Sequence, residues 1–348
     1  MKPPKVIAMS ENQIIPPEIE ASFAPRGAIS VRRLGEGIIN ATLLLENSEG
    51  QSLVLQRLSR IFDAELIDDY GVVSNHLKRE GWEIPGLVET VDGRLYDTDE
   101  SGNLWRAFEY VQSDSDKIEA EKIESLAAYG VLLGKLHRSL AKLDYRPQFG
   151  IPHFHDTEYY AGVLESVQAD LPEAETQQFA DRLLTAYHDM TPLPSVKEQL
   201  IHGDPRLENI LHRNGEPFTF IDWDTLMHGS VWIDLGDMLR SLAGKAVAAG
   251  QPVPIQALVS VAEGYRQATH PQDSPKEFQA VALKSAQFIA LELAMRFTAD
   301  YKDGAAGYFM WDEAAYPSRH MHNMFRARQQ WAIVAQLQAH IDAKGAAQ

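Results

Sequence analysis

The stretch IHGDPRLENIL at residues 201–211, followed by FTFIDWD at 218–224 and WIDLGD at 232–237, decides how the rest of the chain is read. Asp204 follows a His-Gly pair, a setting in which a carboxylate can accept the proton of an attacking hydroxyl. Asn209 offers a neutral amide oxygen, and Asp222, at the end of an apolar run, offers a carboxylate. An oxygen-only pair of this kind suits Mg²⁺, a hard cation that keeps several waters and takes phosphate oxygens as its other ligands. A positioned base and a metal clamp are most of what a protein contributes to phosphoryl transfer from a nucleotide. The segment predicts a kinase with Asp204 as base and Asn209 and Asp222 as metal ligands.

Neighbouring polar residues take supporting parts in this reading. His202 is expected to fix the loop that carries Asp204, because a carboxylate beside bound Mg²⁺ is the better base at neutral pH. Glu208 is placed in solvent. Asp224 shares strand parity with Asp222 and is expected at the metal or the substrate. Asp234 and Asp237, after a turn, are expected to brace the catalytic loop through its backbone amides.

Outward from this stretch the chain falls into two parts and a leading arm, residues 1–28, which holds five prolines and a short helix around Pro17 to Phe23. Short β-rich runs (29–34, 42–46, 52–57, 87–90, 95–97 and 104–111) and one helix (62–80) make residues 29–111 an N-terminal nucleotide-binding lobe. Residues 112–348 are mainly helical, with helices expected over 123–140, 159–170, 177–190, 254–269, 276–298 and 321–343, and form the catalytic and substrate lobe. This is an α+β, two-lobed, protein-kinase-like order.

Three places in the first part bear on a nucleotide. Gly35-Glu36-Gly37 with Asn40 reads either as a loop covering phosphates or as an ordinary hairpin turn. The following runs look like a β-hairpin and not a helix, which disfavours a dinucleotide-binding turn. Trp105 to Val111 is aromatic and apolar; backbone groups around Glu109 to Val111 suit an adenine edge, and a plain core strand is the alternative. The third strand, LVLQR at 53–57, has Gln56 where a kinase lysine is expected and Arg57 one residue late, on the opposite face by alternation. The acid to pair with such a cation is Glu65, Asp68 or Asp69, undecided.

Bulk properties set limits. At 348 residues the chain suits two lobes, and a net charge of −17 argues against a nucleic-acid partner. Having no cysteine excludes disulfides, thiolate nucleophiles and cysteine zinc sites. No secretory signal or membrane-length apolar run is found, so a cytoplasmic location is expected. The histidine pairs His153/His155 and His320/His322 admit a zinc reading, with surface or packing roles the commoner outcome. Neither a G-x-S-x-G elbow nor a Walker motif is present.

Taken together, these residues resemble the aminoglycoside phosphotransferase and choline kinase superfamily, whose His-Gly-Asp-x-x-x-x-Asn and Ile-Asp signatures are matched at 202–209 and 221–222. The chain is similar in particular to the N-acetylhexosamine 1-kinase-like branch, through GEGIINAT at 35–42, LQRL at 55–58, IPHFHDT at 151–157, IDWDTLMHG at 221–229, DLGD at 234–237, RFTADY at 296–301 and HNMFRAR at 322–328. That branch also lacks the usual lysine. The resemblance implies ATP and Mg²⁺, with transfer of the γ-phosphoryl group to a sugar hydroxyl, in that branch the anomeric one. It also implies that Arg296 and Asp300 reach the substrate pocket, an interhelical ion pair being the alternative. Ile38 stands where the branch carries histidine, a departure that bears on the sugar more than on the reaction. Two other readings stand beside it. One is an aminoglycoside or amino-alcohol acceptor, choline-like, suggested by the acidic balance; the other is a nucleotide-binding pseudokinase, suggested by the missing lysine. The substrate is in each enzymatic case a small molecule.

Overall fold

The structure is a computed structural model that describes residues 15–23, 28–34, 40–47, 49–114, 123–303 and 315–345. The chain divides into two compact units, one taking in the chain up to Asp68 together with Pro85–Tyr110, the other Asp69–Ile84 and Val111 onward.

In the first unit, α1 (Pro17–Phe23) precedes β1 (Ala28–Arg33), β2 (Ala41–Asn47) and β3 (Ser52–Arg57). The β2–β3 hairpin forms because Asn47 Oδ1 accepts the amides of Glu49 and Gln51 at 3.0 and 2.9 Å, while Gly50 takes the left-handed φ of 76°. Helix α2 (Glu65–Arg79) follows, then the short β4 (Leu87–Val88) and β5 (Tyr96–Thr98), and β6 (Leu104–Glu109). The sheet is antiparallel in the order β1-β2-β3-β6-β4, with β5 on β6. Alternation sends Leu43, Leu45, Leu53, Leu55, Trp105 and Ala107 to one face, where they bury Ile15, Ile19 and Phe23. Thr42, Leu44, Val54, Gln56, Arg106 and Phe108 share the other parity.

From Asp69 onward α2 goes with the second unit, because Asp69 accepts the Tyr145 hydroxyl at 2.5 Å and the amides of Gln148 and Phe149. The Trp82 indole nitrogen likewise donates to Ser139 Oγ at 2.9 Å. The second unit adds α3 (Ala127–Leu140), α4 (Thr157–Val167) and α5 (Ala174–Asp189), then short strands β7 (Gln199–Ile201), β8 (Ile210–Arg213), β9 (Glu216–Phe220) and β10 (Met227–Gly229). Strand β7 pairs β10 and β8 pairs β9. Helices α6 (Val231–Ala248), α7 (Ile255–Thr269), α8 (Pro275–Asp303) and α9 (Arg319–Gly345) complete it. Helix α8 packs against α4, α5, α6, α7 and α9, so apolar residues recur on more than one of its faces. Among the described residues no helix is long and apolar enough to cross a membrane.

Helix α6 is the one long element that the sequence pattern does not announce. Every residue from Asp234 to Ala243 is buried, so its polar residues Asp234, Asp237, Arg240 and Ser241 lie inside the fold instead of forming the solvent face of a surface helix. Its close approach to α8 depends on Gly236, where a Cβ would lie 2.7 Å from the Ser285 carbonyl. Packing of α3 on α7 is closer still, since a Cβ at Gly264 would meet the Ala127 carbonyl oxygen at 2.1 Å. Gly264→Ala is therefore expected to cost about 1–3 kcal/mol or more of stability by overpacking. Thermal and urea unfolding measure this, and an unchanged midpoint would refute the α3–α7 contact.

Candidate active site

The segment that carries Asp204 is held from three sides within the second unit. Asp234, fully buried near the start of α6, accepts the His202 amide at 2.9 Å and the Gly203 amide at 2.8 Å. His137 Nε2 from α3 meets the same carboxylate at 2.9 Å, and the other nitrogen of His137 meets the Tyr265 hydroxyl of α7 at 2.7 Å. Burial favours a proton on Asp234, but the bond from His137 and the amides hold its affinity below the ordinary carboxylate value. Gly203 has φ of +86°, and a Cβ there would sit 2.1 Å from the Thr225 carbonyl oxygen. Only glycine fits both the angle and the space.

His202 is buried and neutral by circumstance. Its Nε2 faces the Ile221 carbonyl at 3.1 Å and its Nδ1 accepts the Asp204 amide at 3.3 Å, which requires one proton on the ring. Burial lowers its proton affinity, against the pull of Asp234. The ring thus couples the Asp204 amide to the backbone next to Asp222.

Asp204 itself is partly open, its side chain 23% exposed. Arg206 Nε lies 2.8 and 3.0 Å from its two oxygens. Asn209, on a short 3₁₀ turn (Leu207–Asn209), donates Nδ2 to the Asp204 carbonyl at 2.9 Å and to its carboxylate at 3.3 Å. That leaves Oδ1 of Asn209 for a cation. The Ile221 amide donates to the Asn209 carbonyl at 2.9 Å, which brings the Asp222 segment alongside. Asp222 is exposed, with a left-handed φ of 65°. Strand β9 ends at Phe220, so parity does not relate Asp222 to Asp224; the first is exposed and the second buried.

The electrostatics suit a divalent cation. Burial raises the proton affinity of Asp204, Asp237 and Asp222 raise it further, and Arg206 and Arg240 oppose them. Asp237 does not touch the loop amides as the sequence suggested. It pairs with Arg240 at 2.7 Å, and its buried Oδ2 has no hydrogen-bond partner among the described residues. An excess of carboxylate with an orphaned oxygen is what a small cation relieves. Among the described residues no group of three or more His, Cys, Asp or Glu encloses a metal. Asn209 and Asp222 would hold one as Mg²⁺ is ordinarily held, by one or two protein oxygens with waters and phosphates.

On α8, Glu292, Arg296 and Asp300 follow at four-residue spacing along one face. The Arg296 guanidinium lies over the Tyr160 ring of α4 at 5.5 Å. Both Arg296 and Asp300 are half-buried.

The first-unit candidates are placed as follows. Gly35 and Gly37 lie outside the described residues. Asn40 Oδ1 accepts the Ser59 amide at 2.9 Å. Gln56 accepts Arg106 Nε and Nη2 at 2.9 and 2.6 Å and donates to Thr42 Oγ1 at 3.2 Å. Arg57 takes the other face, 6.0 Å from the Trp105 ring. The Glu109 amide is engaged by the Gly86 carbonyl at 2.8 Å, and its carboxylate accepts the Gly86 amide at 3.0 Å. Val111 opens the second unit's main segment.

Sequence reasoning passed over Arg206, Arg106, and the pair His155 and Glu292. Arg206, two residues from the base, was available as a signal; Arg106, 2% exposed, is cross-strand from Gln56 and visible only through register. The histidine pairs do not present shared faces. His153 and His155 both have φ of 56°, not extended backbone; His153 stacks on Tyr159 and His322 on Tyr316.

A family model described as phosphotransferase enzyme family matches residues 30–275. The chain belongs to that family. Three solved structures share the fold. A microcompartment-associated aminopropanol kinase is 18% identical with TM-score 0.62, covering 90% of this chain and 93% of its own. An aminoglycoside phosphotransferase from Alicyclobacillus acidocaldarius is 14% identical with TM-score 0.60, covering 96% and 98%. An amicoumacin kinase in complex with AMP-PNP, Ca²⁺ and Ami is 15% identical with TM-score 0.59, covering 91% of each. The β-rich first unit and helical second unit are those of the kinase-like fold expected from the sequence. The chain is an ATP-dependent phosphotransferase that acts on a hydroxyl of a small molecule, and the family's use of ATP with a divalent metal accords with the ATP and Mg²⁺ expected.

Asp234→Asn places an amide hydrogen against donors it now accepts from, and is expected to cost about 3 kcal/mol. Urea unfolding tests this; a loss below the error of the measurement would show that Asp234 does not carry the loop.

Proposed function

We propose that the chain transfers the γ-phosphoryl group of ATP to a sugar hydroxyl, with an N-acetylhexosamine-like sugar phosphorylated at its anomeric position. The observation that carries the choice of a neutral sugar is that four acids in and around the site are already engaged within the protein, Asp237 through one of its two oxygens. Glu292 is bonded to His155 and Thr157, Asp234 to His137 and two amides, Asp237 to Arg240, and Asp204 to Arg206. An ammonium acceptor calls for uncommitted carboxylate, whereas sugar hydroxyls call for mixed donors and acceptors such as Arg296 and Asp300.

In this reading Asp204 takes the proton of the attacking hydroxyl, and Arg206 and Asn209 hold its carboxylate in place. Asn209 and Asp222 hold Mg²⁺, which when bound draws charge from the phosphate oxygens. Asp224, Arg296 and Asp300 orient the acceptor. Gly35, Gly37, Asn40, Gln56, Arg57, Glu109 and Val111 supply the nucleotide contacts, with Arg106 behind Gln56 providing positive charge at the position that lacks lysine.

An aminoglycoside or amino-alcohol acceptor is the second reading, favoured by the unpartnered Asp237 Oδ2. Turnover with ATP and Mg²⁺ across N-acetylhexosamines, neutral hexoses, aminoglycosides and amino alcohols separates the two, with the phosphate position read by NMR. A hexosamine 1-phosphate is the expected product. Turnover confined to amines would overturn the sugar, and turnover with none would favour the pseudokinase. Asp204→Asn is expected to lower kcat by about 10²–10⁴-fold with nucleotide affinity retained. Asp222→Ala should instead weaken Mg²⁺-dependent ATP binding, followed by calorimetry; full affinity in that variant would remove Asp222 from the metal.

A further inference from the structure

The segment IPHFHDT at 151–157 is not used by the reaction as described, yet its backbone is strained and its second histidine is almost wholly enclosed. His153 and His155 both occupy the left-handed region at φ 56°, a conformation disfavoured for a residue that carries a Cβ. What holds it is a set of bonds around the His155 ring. Nδ1 lies 3.1 Å from Glu292 Oε1 of α8, and Nε2 lies 2.8 Å from the Gly203 carbonyl oxygen. Thr157 Oγ1 donates to the other Glu292 oxygen at 2.5 Å, and Asp156 caps α4 by accepting the Tyr159 amide at 3.0 Å. The side chains of His155 and Glu292 are 4% and 3% exposed.

Both ring nitrogens face acceptors, so both carry hydrogen when the two bonds are made with Glu292 ionised. The Gly203 carbonyl belongs to the same peptide plane as the Asp204 amide, which bonds His202. Asp234 holds the preceding amide of Gly203. Turning the Gly203–Asp204 peptide would swing the Asp204 carboxylate; His155 is the side chain that ties that plane to α8.

We propose that His155, as an imidazolium paired with Glu292, is a positioning residue that sets the angle of the Asp204 carboxylate through the Gly203 carbonyl. This rests on Asp204 being the base of the proposed reaction. Among the described residues two acids from two elements face the ring: Glu292 of α8 in contact, and Asp237 of α6 at longer range. Burial opposes the charge, but the bond and charge of Glu292, then Asp237 and Gly203, push the ring up to about 9. The folded value is raised, so the pair's stabilisation is complete below the ordinary value of 6.5 and is lost as pH climbs through about 9.

The test uses His155→Gln alone and with Glu292→Gln. A single glutamine cannot donate to both partners, and kcat is expected to fall by about 10–100-fold with little change in the KM for ATP, as for a slightly misplaced base. In the double variant the amide introduced at position 292 donates to the side-chain carbonyl introduced at position 155, whose own amide still donates to Gly203. Most of the lost kcat should return, without the wild type's decline as pH passes 9. Wild-type kcat in His155→Gln, or a parallel loss of kcat and thermal stability that the double variant does not reverse, would overturn the role. Ring ¹⁵N shifts of His155 at pH 7.5 give a readout free of activity: a doubly protonated ring that becomes neutral in Glu292→Gln supports the clamp, and a neutral ring in the wild type overturns it. If the wild type turns over no acceptor, the proposed reaction fails and these shifts alone decide the clamp.

Discussion

The hold on one peptide organises the second unit. Gly203 has its amide on Asp234 and its carbonyl on His155, and the next amide, of Asp204, is on His202. Each of those side chains comes from, or leans on, a different element: Asp234 from α6, backed by His137 of α3 and Tyr265 of α7, and His155 backed by Glu292 of α8. A bundle of helices therefore converges on a loop of a few residues. The physical reason is that a general base must meet a hydroxyl within a narrow distance and angle, and a loop cannot hold that geometry by itself.

Two histidines on that loop's borders show how surroundings decide charge. His202 has one acceptor and one donor about its ring and is pressed by burial toward neutrality. His155 has two acceptors, one a carboxylate, and is held charged although it too is buried. The same logic runs through the acids, where Asp234 is kept ionised by donors while Asp204, through burial first and then the charges of Asp237 and Asp222, is pushed toward its protonated form. Such a divergence of like groups is a mark of sites that move protons.

Much of the secondary structure was legible because it obeys simple periods. The β2–β3 hairpin follows from alternating leucines around an Asn47–Gly50 turn, and α5 and α7 follow from apolar residues at helical spacing. Where the environment overrides the period, reading fails. Helix α6 buries its polar residues along with its apolar ones, and the left-handed Asp222 breaks the strand parity by which Asp224 had been placed beside it. Asp237 was expected on the loop amides and instead pairs with Arg240 along its own helix.

By itself the sequence determined the chemistry on offer: the order of Asp204, Asn209 and Asp222, a glutamine in the usual lysine position, and glycine at 203. These are local, since spacing along one loop and its hairpin already limits where the groups can lie. Only the tertiary structure decided what surrounds them. That Glu292 would stand against His155, 137 residues earlier, or that Arg106 would bond Gln56, depends on which helix faces and strand registers meet. Such meetings are set by packing of the whole chain, and no short-range pattern records them.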